Sequence, residues 1–120
     1  MKKYNLSIII PVYNEEESID ELYYQINNSL LSINNNKYTS EIIFINDGST
    51  DGTFNKINTI ARENNDVKII SFFNNRGKSE ALNCAFQYSS GEVIITIDGD
   101  LQDNPNEFRN LLDKIENGSD

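Results

Sequence analysis

Four short runs of apolar, largely β-branched residues alternate along the chain with longer segments whose apolar residues recur every three or four positions. The runs cover 6–12, 41–46, 67–73 and 93–97, and each has the length of a buried strand. The segments that follow them have the period of helices that bury one face. The pattern predicts an α/β fold in which a mostly parallel sheet carries helices on both faces.

Helical spacing is clearest in three segments, 19–33, 54–61 and 81–86. A fourth helix is predicted at Asn104 and Pro105, because asparagine caps a first turn and proline is tolerated at the first helical position. Gly118 closes that helix, and Gly91 is predicted to stop the third. Strand and helix therefore alternate four times, which specifies right-handed crossovers between parallel strands.

Each predicted strand is followed by a cluster of polar residues. These clusters lie at 11–15, 47–51, 76–78 and 98–102. In parallel α/β sheets, ligands bind outside the carboxyl ends of the strands, where the strand order reverses. The four loops are far apart in sequence but are predicted to meet at one edge of the sheet, where they form a binding site.

Asp98 and Asp100 follow directly after the fourth apolar run and are separated by Gly99. Residues two apart on an extended chain point the same way, so both carboxylates can converge on one ligand. Two hard oxygen donors suit a divalent cation such as Mg²⁺ or Mn²⁺, and the glycine lets a ligand approach the backbone closely. The alternative interpretation is an acidic turn after a strand.

The other strand ends carry side chains that each have two interpretations. Tyr13 either packs on its own loop or offers a base a stacking face. Asp47 either caps the turn that follows it or accepts the ring N–H of a uracil or guanine. Arg76 and Lys78 are either solvated charges or face a diphosphate. Together with the acid pair, these side chains describe a site for a nucleoside diphosphate.

Composition and net charge exclude or disfavour several classes of function. The 120 residues are enough for one domain, and the net charge of −9 disfavours nucleic acid as a partner. An acidic protein that handles phosphates needs a metal as intermediary. There are no histidines, which excludes histidine acid–base chemistry and histidine metal ligands, and the single Cys84 excludes an internal disulfide. No apolar run approaches the length of a membrane span.

Four segments are similar to the motifs of the family 2 glycosyltransferases with the GT-A fold, whose first half is a Rossmann-like nucleotide-binding unit. The similar segments are 8–15, 46–53, 75–78 and 98–103, in the order and spacing of that family. The Asp-Gly-Asp-Leu-Gln-Asp form of the last segment resembles the dolichol-phosphate mannose synthase and polyprenyl-phosphate glycosyltransferase branch. One such motif alone is weak, whereas four in order are specific.

The resemblance implies a metal-dependent, inverting transfer of a sugar from a UDP- or GDP-sugar to an acceptor such as a polyprenyl phosphate or a growing glycan. It implies that the nucleotide contacts Pro11, Val12, Tyr13, Glu15, Asp47, Gly48, Arg76, Lys78, Asp98 and Gly99. It also implies that Mg²⁺ or Mn²⁺ is held by Asp98, Asp100 and Gln102. These assignments follow from the matched motif positions, and the family role of Arg76 against Lys78 is left open.

The chain departs from the family pattern in residues and in length. Asn46 stands where an aspartate is usual, and Asn104 where this branch commonly has a proline. Family members have a second half that supplies the acceptor site and the general base, so the catalytic base is expected outside this chain. The chain is therefore expected to be the donor-binding part of a longer, cytoplasmic protein that meets the cytoplasmic face of a membrane through C-terminal parts. An incomplete sheet also predicts self-association.

Three other functions fit parts of the pattern. The chain can be a nucleotide-binding fragment without transferase activity. It can be a sugar nucleotidyltransferase, although a Gly-rich phosphate loop is not present after the first strand. A phosphoacceptor domain built on strand-end aspartates is the third. Pyrophosphate release, or phosphate uptake from a small phosphodonor, would identify the last two.

Overall fold

A computed structural model describes residues 6–33 and 39–97 of the chain. The elements in order are β1 (Leu6–Val12), α1 (Ile19–Ile33), β2 (Ser40–Asp47), α2 (Thr53–Glu63), β3 (Val67–Phe72), α3 (Lys78–Tyr88) and β4 (Val93–Thr96). The predicted alternation is confirmed over this part of the chain. The fourth predicted helix, which starts at Asn104, lies outside the described residues.

The four strands form one parallel sheet in the order β3-β2-β1-β4. Leu6 of β1 lies opposite Ser40 of β2 and Val93 of β4, so β1 is paired on both sides from its first residue. The chain builds outwards from β1 to β3 and then returns to place β4 on the other side. The strand order therefore reverses at β1, and the carboxyl ends of all four strands lie at one edge, called here the carboxyl edge.

Helices lie on both faces of the sheet, as the continuous apolar runs of β1 and β2 predicted, whereas Ile94 of the edge strand β4 is 41% exposed. On one face, Ile8 and Ile10 of β1 and Phe44 of β2 join a cluster with residues of α1 and α2. On the other face, Ile9 packs in a second cluster with Ala81 and Ala85 of α3. Successive residues of β1 thus enter opposite cores, which explains why the strand shows no polar alternation.

The expectation that Gly91 stops the third helix is wrong, because α3 ends at Tyr88. Gly91 instead lies against the start of β1. A Cβ at this position would lie 2.5 Å from Ser7 Oγ and 2.6 Å from the Ser7 nitrogen, and the Gly91 N–H donates to Ser7 Oγ at 2.8 Å. The glycine is required by this close approach of two backbones and not by a helix end.

A fully buried carboxylate lies at the opposite, amino edge of the sheet. Glu41, near the start of β2, accepts hydrogen bonds from Ser7 Oγ (2.5 Å), Lys68 Nζ (2.7 Å) and the Ser90 N–H (2.8 Å). Burial alone raises the pKa of the Glu41 carboxyl, but the hydrogen bonds from Lys68, Ser7 and Ser90 outweigh it and hold that pKa below its ordinary value. One side chain thus ties together the starts of β1, β2 and β3 and the turn before β4.

Candidate functional site

Three of the four polar loops predicted to meet do meet at the carboxyl edge. Hydrogen bonds connect the loop after β1 with the loop after β2, and the end of β2 with the loop after β3. The chain leaves β4 at Ile97, whose N–H donates to the carbonyl oxygen of Ile9 at 3.0 Å. Residues 98–102, the fourth predicted loop, lie outside the described part of the chain.

Asp47 is the last residue of β2 and is 5% exposed. Its Oδ1 accepts the Arg76 N–H at 2.6 Å, and its Oδ2 accepts the Gly77 N–H at 3.0 Å. The carboxylate therefore fixes the loop that leads into α3. An ionised carboxylate has about four lone-pair positions, so it retains capacity for a further donor.

Asn46 caps the turn after β2. One of the two interpretations of Asp47 from the sequence had assigned this role to Asp47. Asn46 Oδ1 accepts the Ser49 N–H at 3.1 Å, while its Nδ2 donates to Ser71 Oγ on β3 at 3.1 Å. A carboxamide can accept on one side and donate on the other, whereas an ionised carboxylate only accepts. This is the physical role of asparagine at the position where the resemblance leads one to expect aspartate.

Gly48 permits the loop after β3 to pass directly over the end of β2. Its φ is +73°, in the left-handed region, and a Cβ there would lie 2.4 Å from the backbone nitrogen of Asn75. Asn75 also donates its side-chain N–H to the Asp47 carbonyl oxygen at 3.3 Å. Both the backbone conformation and the close contact therefore require glycine at position 48.

Replacing Gly48 with alanine is expected to lower the free energy of unfolding by roughly 2–4 kcal/mol, because the new methyl group combines backbone strain with a backbone collision. Gly77→Ala is the matched control: its φ is +97°, yet nothing lies within 4 Å of its Cβ position. The control should cost about 1–2 kcal/mol, from strain alone. Urea denaturation measures both, and equal losses would contradict the collision.

Arg76 and Lys78 both lie at the carboxyl edge, around the start of α3. The Arg76 guanidinium lies 4.6 Å above the centre of the Phe72 ring, and its Nη1 is 3.6 Å from Glu80 Oε1. The Arg76 side chain is 51% exposed, so it is anchored without being removed from solvent. Lys78 is exposed as the first residue of α3.

The predicted contacts after β1 differ in what they expose. Tyr13 is 46% exposed, which leaves its ring accessible at the edge. Val12 is 2% exposed and belongs to the core, and Pro11 is half-buried. Glu15 is half-buried, and its N–H donates to Thr53 Oγ1 at 2.9 Å.

Sequence reasoning missed the residues that join the loop after β1 to the loop after β2. Asn14 Oδ1 accepts the Thr50 N–H at 2.7 Å, and Glu16 Oε1 accepts the Gly52 N–H at 3.1 Å. Asp51 accepts the Thr53 N–H at 2.9 Å, and the Thr53 hydroxyl hydrogen bond holds the pKa of Asp51 below its ordinary value. The only signal in the sequence was the richness of both loops in residues whose side chains bond to nearby backbone.

The predicted metal ligands Asp98, Asp100 and Gln102, like Gly99, are outside the described residues. Within 6–33 and 39–97, no group of three or more His, Cys, Asp or Glu side chains is arranged to hold a metal ion. The described part of the chain ends at Ile97, directly before this acidic segment in the sequence. Ile97 lies beside Ile9, at the point where the strand order reverses.

Comparison with known proteins agrees with this geometry. A family model described as Glycosyl transferase family 2 matches residues 7–120. Over 115 residues the chain is 36% identical to the dolichol-phosphate mannosyltransferase of Pyrococcus furiosus and 38% identical to the bactoprenol glucosyl transferase of Shigella phage SfV. These alignments cover 96% of this chain but 31% and 36% of those proteins, so the chain spans about a third of their length.

The fold is also that of solved glycosyltransferases. The mannosyltransferase PcManGT from Pyrobaculum calidifontis, in complex with GDP-Man and Mn²⁺, superposes with a TM-score of 0.73 and 26% identity, over 92% of this chain and 32% of that one. The predicted GT-A type of α/β fold is thereby confirmed. Within the described residues, no helix has the length and apolar character needed to cross a membrane.

Proposed function

The chain belongs to glycosyl transferase family 2, and we propose that its carboxyl edge binds the nucleoside diphosphate of a UDP- or GDP-sugar. The observation that carries this proposal is the buried Asp47 carboxylate, with spare acceptor capacity, on the same edge as the accessible ring of Tyr13. In this assignment Asp47 accepts a ring N–H of the base and Tyr13 stacks on it. The nucleotide-sugar complex of PcManGT supports the class of ligand.

The diphosphate is assigned to the basic side of the same edge. Arg76 is half-exposed and anchored on Phe72, and the exposed Lys78 stands at the first position of α3. A helix N-terminus presents unpaired backbone N–H groups, which favour an anion. In a chain with a net charge of −9, these two cations are where a phosphate group would be attracted.

We assign the divalent cation, Mg²⁺ or Mn²⁺, to Asp98, Asp100 and Gln102. The donor set consists of oxygen atoms, which both ions prefer. When bound, the ion supplies positive charge to the departing diphosphate. The Mn²⁺ present with PcManGT supports this choice, as does the sequence, in which Asp98 follows β4 after Ile97.

For the whole protein, we propose an inverting transfer to a polyprenyl phosphate or a glycan. The dolichol-phosphate and bactoprenol relatives support a lipid phosphate as the first acceptor to test. The acceptor site and the general base are assigned to the two thirds of the relatives' length that this chain does not span. A lipid phosphate needs less help from a base than a sugar hydroxyl, because it is already ionised.

A second candidate is a unit that binds the nucleotide sugar without transferring the sugar. The two candidates make the same prediction for binding. They differ when a polyprenyl phosphate acceptor is supplied, because only the first predicts a glycosylated lipid product.

The test of donor binding is calorimetric titration of UDP and of GDP, with and without Mn²⁺, into the chain and into Asp100→Ala. We expect one nucleotide to bind in a Mn²⁺-dependent manner and Asp100→Ala to lose that dependence. Glu63→Ala, an exposed acid at the last residue of α2, is the matched control and should bind as the unaltered chain does. Failure of both nucleotides to bind would contradict the proposal.

A further inference from the structure

We propose that Asn14 is a positioning residue for the nucleotide site, an inference that rests on the proposed function. Its φ of 50° lies in the left-handed region, which asparagine tolerates better than most side chains. Asn14 stands directly between Tyr13 and Glu15, two of the residues assigned to the nucleotide. The conformation turns its carboxamide towards the loop after β2.

Asn14 both accepts hydrogen bonds from that loop, through its side chain, and donates one to it, through its backbone N–H. Its Oδ1 accepts the N–H groups of Thr50 (2.7 Å) and Asp51 (3.3 Å), and its own N–H donates to Ser49 Oγ at 3.0 Å. The partners are 35 to 37 residues away in sequence. Together with the Glu16–Gly52 hydrogen bond, these contacts of Asn14 join the two strand-end loops.

The two joined loops carry the two groups assigned to the base. Tyr13 precedes Asn14 directly, whereas Asp47 lies three residues before Thr50, with the constrained Gly48 between them. Binding of a flat base between a stacking ring and an acceptor depends on their separation, and small displacements of positioned groups cost large factors. Asn14 itself is not assigned a contact with the nucleotide; it acts through the positions of Tyr13 and Asp47.

Three substitutions separate the carboxamide from the backbone conformation. Asn14→Gly keeps access to a positive φ but removes the acceptor. Asn14→Asp keeps the acceptor oxygen in nearly the same place. Asn28→Gly, at an exposed position of α1, is the matched control that weakens a helix without touching either loop.

The experiment measures the dissociation constants of UDP and GDP with Mn²⁺ by calorimetry, together with amide hydrogen exchange of Thr50 and Asp51 by NMR. Asn14→Gly is expected to weaken nucleotide binding about tenfold or more and to expose both amides. Asn14→Asp is expected to restore binding to within about threefold of the unaltered chain and to restore protection. Asn28→Gly should change neither quantity.

Unchanged binding in Asn14→Gly would overturn the proposal, as would equal weakening in Asn14→Asp, because the acceptor would then be irrelevant. If Asn28→Gly weakened nucleotide binding as much as Asn14→Gly, the weakening would be due to lost stability alone, which would also contradict the proposal. If the unaltered chain binds neither nucleotide, the proposed function fails and the positioning role fails with it. The exchange data then still decide whether Asn14 joins the loops, since protection that is lost in Asn14→Gly and kept in Asn14→Asp is specific to that contact.

Discussion

Replacing Glu41 with glutamine is expected to lower the free energy of unfolding by about 2–4 kcal/mol, the largest effect on stability we foresee for a single polar substitution. The carboxylate is fully buried and receives hydrogen bonds from Ser7, Lys68 and Ser90, one of them charged. A carboxamide has one acceptor oxygen, and its N–H groups would face donors. The change would loosen four segments at once.

Urea denaturation of the unaltered chain and of Glu41→Gln measures this loss of stability. Asp20→Asn is the matched control, because Asp20 forms an ion pair with Lys56 at a similar distance of 2.9 Å, but with side chains that are 67% and 43% exposed. An exposed pair contributes about 0–1 kcal/mol. Similar losses in Glu41→Gln and Asp20→Asn would show that burial adds nothing to the Glu41 contacts.

Glu41→Gln should also change how the free energy of unfolding depends on pH. Because the pKa of Glu41 is lower in the folded chain than its ordinary value of 4.5, its contribution to stability is complete above that value and is lost as the pH falls through the folded pKa. The difference in unfolding free energy between the unaltered chain and Glu41→Gln should therefore shrink below about pH 4.5. A difference that stays constant into that acidic range would contradict the direction of the shift.

Replacing Asp47 with asparagine is expected to have the largest effect on ligand binding, a loss of at least about tenfold in nucleotide affinity. The carboxylate accepts the N–H groups of both Arg76 and Gly77, and an asparagine would turn a donor towards one of them. We expect a cost in stability of about 1.5–3 kcal/mol, because a buried N–H loses a charged acceptor. The same titrations with UDP and GDP measure the affinity, and Asp20→Asn again serves as the control.

A modified ligand separates base recognition from support of the loop. If UDP is the nucleotide that binds, 3-methyluridine diphosphate lacks the ring N–H that Asp47 is proposed to accept. The unaltered chain should then prefer UDP, and Asp47→Asn should lose that preference even where weak binding remains. Equal affinity of the unaltered chain for both ligands would restrict Asp47 to holding the loop after β3.

The sheet was predictable because a parallel strand buried on both faces has a continuous apolar sequence, and β1 and β2 have such sequences. The meeting of the loops followed from topology, since parallel strands put their carboxyl ends at one edge. The three-to-four-residue spacing of apolar residues identified α2 and α3 correctly. It did not show which of those apolar residues are buried. Phe54 and Phe86 fit the period, yet they are 39% and 44% exposed.

What sequence reasoning missed is the set of polar contacts between distant residues. Nothing near Glu41 in the sequence indicates a buried charge, because its partners Lys68 and Ser90 are 27 and 49 residues away. Local rules offered a turn cap as one of two roles for Asp47, whereas its bonds cross 29 and 30 residues to the loop before α3. Such contacts depend on the assembled sheet and leave no local pattern.

Strand β1 connects two regions with different tasks. Its first residues reach the Glu41 carboxylate through Ser7, and its last residue leads into the loop held by Asn14. The seven residues of β1 span roughly 20 Å, beyond the distance at which mutational effects usually interact. Ligand preference can therefore diverge among descendants of such a chain at one end of β1, while the other end continues to hold the strands together.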